Sequence, residues 1–192
     1  MSFTKEAIFT QARSHKIFFD EALPENIFAD LYELAKWAPT ASNCCPLRYV
    51  FVSSPEGLQQ LAAHALGGNK EKVQSAKGAV ILAYDTNFYE HYPQLAPHIA
   101  IPSPQSQWSA IEKEKAAIKS AGIQAGFFIA AARPQGLDCG PMAGFNGEEL
   151  ENIFFPKDSW KFYFVVLLGK GDASRLYPRG QRLSFEQACV VK

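Results

Sequence analysis

The sequence predicts an α+β sandwich, on three observations. Helical patterns come first, and strands then follow mixed with further helices, an alternation too irregular for a doubly wound parallel sheet. Two runs, GAVILAYD at 78–85 and WKFYFVVLLGKG at 160–171, are apolar almost throughout and read as strands of a buried sheet. A helical pattern from about Ser106 to Gln135 turns apolar on every side in its second half, GIQAGFFIAAA. Such a helix must be covered all round, by the core of its own chain or by a second subunit. At 192 residues and 47% apolar, the chain reads as one domain, 1–192, with enough material for a real core.

Taken in order, residues 3 to 12 read as a short first helix. Pro24 opens a clearer one, PENIFADLYELAKWA: Ile27, Leu31, Leu34, Ala35 and Ala38 share a face, and Pro39 ends it. LRYVFVS at 47–53 is rich in β-branched and aromatic residues and predicts a strand. Ser53 and Glu56 stand at capping-box spacing, and Pro55 helps start a helix to about Leu66. Four prolines between Pro93 and Pro104 predict irregular loop. In the long helix, Ile118, Ala121, Ala125, Phe128 and Ala132 keep three-four spacing. Gly122 and Gly126 there each cost roughly 1 kcal/mol relative to alanine, which close approach of another backbone would offset. Gly136 suits its C-terminal cap. Asn146 and Glu149 have the spacing of another capping box.

Lys plus Arg and Asp plus Glu are 19 each, so formal charge cancels and nothing suggests a nucleic-acid binder. Apolar runs such as YFVVLLG are too short to span a bilayer, and MSFTKEAIFT lacks a signal-peptide pattern. A cytoplasmic location is expected. Cys44 and Cys45 are adjacent, Cys139 and Cys189 are isolated, and no C-x-x-C or paired Cys/His spacing exists. Neither a metal nor a disulfide is expected.

Five segments could carry chemistry, and each has a bland reading beside it. In ARSHK, residues Arg13, Ser14, His15 and Lys16 supply donors suited to a phosphate, yet basic residues also finish helices to favour the dipole. In WAPTASNCCPLR, Thr40, Ser42 and Asn43 lie between Pro39 and Pro46 and could bond a ring edge, or simply satisfy their own turn. In LGGNKEK, Asn69 and Lys72 are one helical turn apart, as at any exposed helix start. LDCGPMAGFN, 137–146, is either a tight connection between helices or a bare stretch against which a flat ligand lies. YPRGQRLS places Arg179 and Arg182 three apart around a glycine, in what could be only a solvated tail. G-x-G-x-x-G, Walker, H-E-x-x-H and G-x-S-x-G motifs are absent. Composition and spacing reach no reaction by themselves.

In their order, ARSHK, APTASNCCPL, NKEK, GLDCGPMAGF and PRGQRL resemble the motifs of the nitroreductase-like flavoprotein family along nearly the whole chain. Each motif is weak alone; five in register are specific. KWAPTASNCCP, GLDCGPMAGF and RLSFEQAC resemble most the branch that reduces malonic semialdehyde. The resemblance implies a central, mostly antiparallel sheet flanked by helices, in an intertwined homodimer with FMN at the subunit interface. It implies that NADH or NADPH reduces the flavin at N5, and that a small aldehyde, or a nitro compound or quinone, takes the hydride. The flavin N5 is then the reactive atom, with no catalytic side chain named. Arg13, Ser14, His15 and Lys16 would hold the phosphate and ring edge, with Arg182 or Arg179 completing the clamp. Thr40, Ala41, Ser42 and Asn43 would line the ribityl and pyrimidine side from the partner. Asn69 and Lys72 would face the polar ring edge. Pro141, Met142, Ala143 and Gly144 would lie against the ring, with the Ala143 N–H at N5. Residues 91–107 would form a lid, with His98 its obvious titratable member. The chain departs from the family's glutamine-proline-tryptophan, which is Cys45-Pro46-Leu47 here.

Overall fold

A computed structural model describes residues 4–192. Its centre is a four-stranded sheet in the order β1-β2-β4-β3, antiparallel throughout, built from β1 (Leu47–Val52), β2 (Gly78–Asp85), β3 (Asp138–Met142) and β4 (Trp160–Gly169). The apolar runs at 78–85 and 160–169 occupy its two middle positions. Every residue of β2 is buried, as its composition requires.

Pleating sends alternate side chains into two cores. Val80, Leu82, Val166 and Leu168 face a first cluster with helices α1 (Ile27–Ala35) and α5 (Ala110–Ala132). Ala79, Ile81, Val165 and Leu167 face a second, closed by α2 (Pro55–Ala63), α3 (Asn69–Ser75) and α6 (Gly147–Phe154). Helix α4 (Tyr92–Leu95) is a short piece of the proline-rich stretch, and α7 (Phe185–Ala188) lies in the tail.

Several elements differ from the sequence reading. The first helix is a π-type turn, Glu6–Thr10, and residue 3 lies outside the described residues. Helix α1 starts three residues after Pro24, behind a left-handed Asn26. The cap of α2 is Ser54, whose hydroxyl accepts from the Gly57 N–H at 3.0 Å; Ser53 lies one residue outside. The helix predicted to about Leu66 ends at Ala63, and a separate helix, α3, begins at Asn69. Asn146 does precede α6, but its side chain makes no cap hydrogen bond. Instead Glu151 on that helix accepts from the Phe162 N–H at 2.8 Å and pairs with Lys161, tying α6 to β4.

The long helix begins at a capping box the spacing had not singled out: Ser109 accepts from the Glu112 N–H, and Glu112 from the Ser109 N–H. Ser109→Ala is expected to cost about 1 kcal/mol of stability, read in a urea melt. Ala121, Ala125, Phe128 and Ala132 are buried as predicted, and Gln124 accepts from the Leu47 N–H at 2.9 Å. Among the described residues nothing fully covers the opposite face: Ile123 and Phe127 stay 46% and 44% exposed. Nor does a backbone press on the helix glycines. A Cβ at Gly122 would meet only the Tyr163 hydroxyl, and at Gly126 nothing within 4 Å. Gly136 does take the left-handed conformation, φ +75°, after the helix end.

Candidate functional site

LDCGPMAGFN is neither a plain turn nor free loop. Its first half is β3, the edge strand of the sheet, and a proline is tolerated there because Pro141 lies past Cys139, where the outer side is bridged. Low strand propensity in DCGPM hid this strand from the sequence reading. Its outer side is covered by the ARSHK segment: Ser14 bridges Cys139 in parallel, and the His15 N–H donates to the Cys139 carbonyl at 2.8 Å. A Cβ at Gly140 would overlap the His15 carbonyl, so this close passage requires glycine.

The second half of the stretch is gripped by the 64–69 turn. The Leu66 N–H and the Asn69 side-chain amide both donate to the Gly144 carbonyl, at 2.9 and 3.0 Å, and Lys72 donates to Asn69 Oδ1 at 2.7 Å. A Cβ at Gly144 would stand 2.6 Å from the Asn69 amide nitrogen. Asn69, Lys72 and Gly144 thus form one hydrogen-bonded chain. Ala143, beside it, is exposed, and Met142 packs partly into the second core.

The tail returns to the same edge. Arg13 donates to the Tyr177 carbonyl at 2.6 Å, Arg179 to the Ala12 carbonyl at 2.8 Å, and the Lys16 ammonium lies 3.7 Å above the Tyr177 ring. Arg13, Ser14, Pro141, Arg179 and Arg182 line one cavity of about 400 Å³, with Gly126 and Arg133. Among the described residues, Arg13, Arg179, Arg182 and Lys72 have no carboxylate partner.

His15 and Lys16 are not in that lining. His15 turns inward, its Nε2 3.5 Å from Asp138, its Nδ1 buried without a hydrogen-bond partner among the described residues. Burial pushes its pKa below 6.5, with Arg133 and Arg13 adding to the effect and Asp138 and Asp172 opposing it. The unfolded chain therefore binds the proton more readily. Stability is complete above pH 6.5 and declines as pH falls through the window beneath it. His15→Gln is expected to flatten that decline, measured by denaturant melts on either side of the window.

The sequence reading missed two residues here. Arg133, at the end of α5, pairs with Asp138 and donates to the Arg13 carbonyl at 3.0 Å. Asp138 also accepts from the Gly171 N–H at 2.9 Å. Together they fix where the ARSHK segment sits. A signal was present: an arginine closes the long helix and an acid follows its glycine cap, but only the fold reveals their target.

Thr40, Ala41, Ser42 and Asn43 lie elsewhere, before β1 at the opposite sheet edge. The Thr40 hydroxyl accepts from the Cys45 N–H at 3.2 Å, and Asn43 donates to the Leu95 carbonyl at 2.8 Å. Ser42, Asn43 and Cys45 all hold positive φ, at 51°, 52° and 37°. Such non-glycine conformations cost of order 1–3 kcal/mol each and cluster at binding sites. Cys45, standing where the family has glutamine, turns its sulfur toward Thr40 and Asn43. Ala41 and Ser42 line a second cavity, of about 380 Å³, against Phe88, Tyr92 and Trp108. His98 is exposed and outside both. Burial raises the thiol pKa of Cys44 and pushes that of Cys139 up to about 12, leaving both inert as nucleophiles near neutral pH.

A model of the nitroreductase family matches residues 9–170. The chain belongs to the nitroreductase family. One nitroreductase relative, from Ralstonia nicotianae, is 40% identical over 189 residues, 97% of this chain and 95% of its own. Another, from Stutzerimonas stutzeri, is 44% identical over 184 residues, 96% and 93% of the two chains. Both are named as candidate NADH dehydrogenase/NAD(P)H nitroreductases. The nitroreductase fold recurs in a Bacillus subtilis protein at TM-score 0.85 and 22% identity, over 96% of this chain and 97% of that one. It recurs in an Exiguobacterium sibiricum protein solved with FMN, at TM-score 0.86 and 20% identity, over 100% and 99%. Among the described residues, no helix is long and apolar enough to cross a membrane.

Proposed function

We propose that this nitroreductase-family chain is an FMN-dependent NAD(P)H oxidoreductase that works as a homodimer and reduces a small aldehyde acid such as malonic semialdehyde. The observation that carries the cofactor reading is three arginines without carboxylate partners, Arg13, Arg179 and Arg182, around one cavity at the β3 edge. Guanidinium forks and the Ser14 hydroxyl suit the phosphate of FMN. The bare Pro141–Gly144 stretch suits a flat ring, and Lys72, anchored by Asn69, suits its polar edge. The residues present therefore fit the group. FMN, when bound, supplies a ring that takes up a hydride at N5 and hands it on.

The chain's own part is placement and charge. The hydrogen bonds from Leu66 and Asn69 to Gly144 hold the ring-facing stretch rigid. The Lys72 ammonium, kept in place at 2.7 Å by Asn69, favours negative charge along the ring's edge.

The distance between two groups of site residues supports the homodimer. Loop 40–43 and β3 are separated by three strand spacings, roughly 14 Å, so one bound ring cannot touch both within a chain. A second copy brings its own strained loop to the site and covers Ile123 and Phe127.

An anaerobic absorbance titration tests the reading. Flavin bands are expected in the purified protein, bleaching with NADH or NADPH and returning faster with malonic semialdehyde than with nitrofurazone or menadione. The second reading is a broad nitro or quinone reductase, whose nitroreductase part the relatives' names favour and which the reverse order of acceptors would support. Bands that stay oxidised with both nicotinamides would leave a flavin-binding protein without this activity.

A further inference from the structure

The second cavity has a chemistry that the cofactor does not use. Its walls are aromatic: Phe88 and Tyr92 stand edge-to-face at 6.2 Å, and Trp108 closes the side. Lys115 and Lys119, one helical turn apart on α5, also line it. Among the described residues neither makes a hydrogen bond or an ion pair, and as like charges at i,i+4 they repel each other. Glu112 lines the cavity as well, but its carboxylate is engaged at the helix start, accepting from the Ser109 N–H at 2.9 Å and hydroxyl at 2.7 Å. Gln105 lines the same cavity, and its side-chain oxygen is buried with no partner among the described residues. An apolar box with two uncommitted ammoniums and an unmet polar group is incomplete without an occupant.

We propose that this cavity is the acceptor pocket and that Lys115 and Lys119 select an acceptor carrying a carboxylate, its apolar body lying against Phe88, Tyr92 and Trp108. The assignment rests on the flavin reading, because the wall shared with the cofactor is Ala41–Ser42, the loop which that reading brings to the ring. A volume of about 380 Å³ admits a small acid, up to the size of a substituted benzoate. Neutral acceptors of the same shape lack the handle the lysines grip. Tyr92 and Gln105 come from the 91–107 segment, so that segment contributes walls, while His98 lies outside the cavity.

The test compares 4-nitrobenzoate with 4-nitrobenzyl alcohol, nearly the same shape without the charge. The wild-type holoprotein is expected to favour the benzoate in kcat/KM by about tenfold, the size two partly exposed ion pairs supply. Lys115→Ala with Lys119→Ala is expected to erase the preference, and Lys→Arg at both positions to keep it. Thermal melts of the three proteins should coincide, so that a lost preference is not a loss of fold. A preference that survives the double alanine change, or is absent in the wild type, overturns the proposal. Unlabelled benzoate and benzyl alcohol titrated against tryptophan fluorescence give a second readout that needs no turnover. If the flavin is never reduced, the functional reading fails alone, and the anion pocket is still decided by whether benzoate binding weakens about tenfold in the double variant.

Discussion

Replacing Arg13 and Arg182 together by alanine is expected to weaken FMN binding by about a thousandfold. Charge-assisted hydrogen bonds are worth about 1.5–3 kcal/mol each, and 1.4 kcal/mol is tenfold in affinity. Both arginines line the β3-edge cavity, and neither has a carboxylate to neutralise it. Each spends part of its fork on backbone: Arg13 on the Tyr177 carbonyl, Arg182 on the Gly180 and Gln181 carbonyls at 3.0 Å. The remaining N–H groups are free to face an anion. Flavin fluorescence quenching gives the affinity directly. Arg→Lys at both positions should recover only part of it, because an ammonium keeps the charge but loses the bidentate geometry. Raised salt should narrow the gap between wild type and variant. Arg179→Ala, measured alongside, ranks the two tail arginines: Arg179 is held to the Ala12 carbonyl and shares the same cavity. An affinity for the double alanine variant within threefold of wild type would remove these residues from the phosphate site.

What was legible in the sequence follows from what is local. The strand at 78–85 matches β2 residue for residue, because seven consecutive apolar or small residues, Gly78 to Tyr84, allow no amphipathic alternative. The buried stripe of α5 was equally readable from its three-four spacing. Its exposed stripe, Ile123 and Phe127, was readable only as a need for cover, since composition cannot say whether cover comes from the same chain. Strand β3 was not readable at all. A glycine and a proline argue against a strand, and the segment is one because β4 on one side and Ser14–His15 on the other supply its partners. The site divides the same way. The family resemblance set Asn69, Lys72 and Gly144 around one ring but gave no sign of the hydrogen bonds that join them to one another. His15 read as one donor among four, yet it is the member that turns inward, because Gly171 leaves room for its ring. That kind of selection depends on a neighbour 156 positions away in the chain and leaves no local mark.

Asp138 is the neighbour on which most of this arrangement converges, and Asp138→Ala is expected to cost about 3 kcal/mol of stability, near the lower end for breaking one side of a buried ion pair. Its carboxylate meets three elements at once: Arg133 at the end of α5, the Gly171 N–H after β4, and His15 in the ARSHK segment. Removing it leaves the Arg133 guanidinium, largely shielded from water, without a counter-charge and the Gly171 N–H without an acceptor. For a chain of this length the loss corresponds to a fall in Tm of roughly 6–12 °C. Asp138→Asn separates the terms: the amide oxygen can still accept from Gly171, so stability should recover in part, while the ion pair with Arg133 is gone. Because Arg133 also holds the Arg13 carbonyl, both variants should bind FMN more weakly than wild type even at temperatures where they are fully folded. Thermal melts by circular dichroism, paired with flavin titrations well below the transition, measure the two effects separately. A variant that melts earlier but binds FMN with unchanged affinity would make Asp138 a stabilising residue only, and would detach the position of Arg13 from the ion pair behind it.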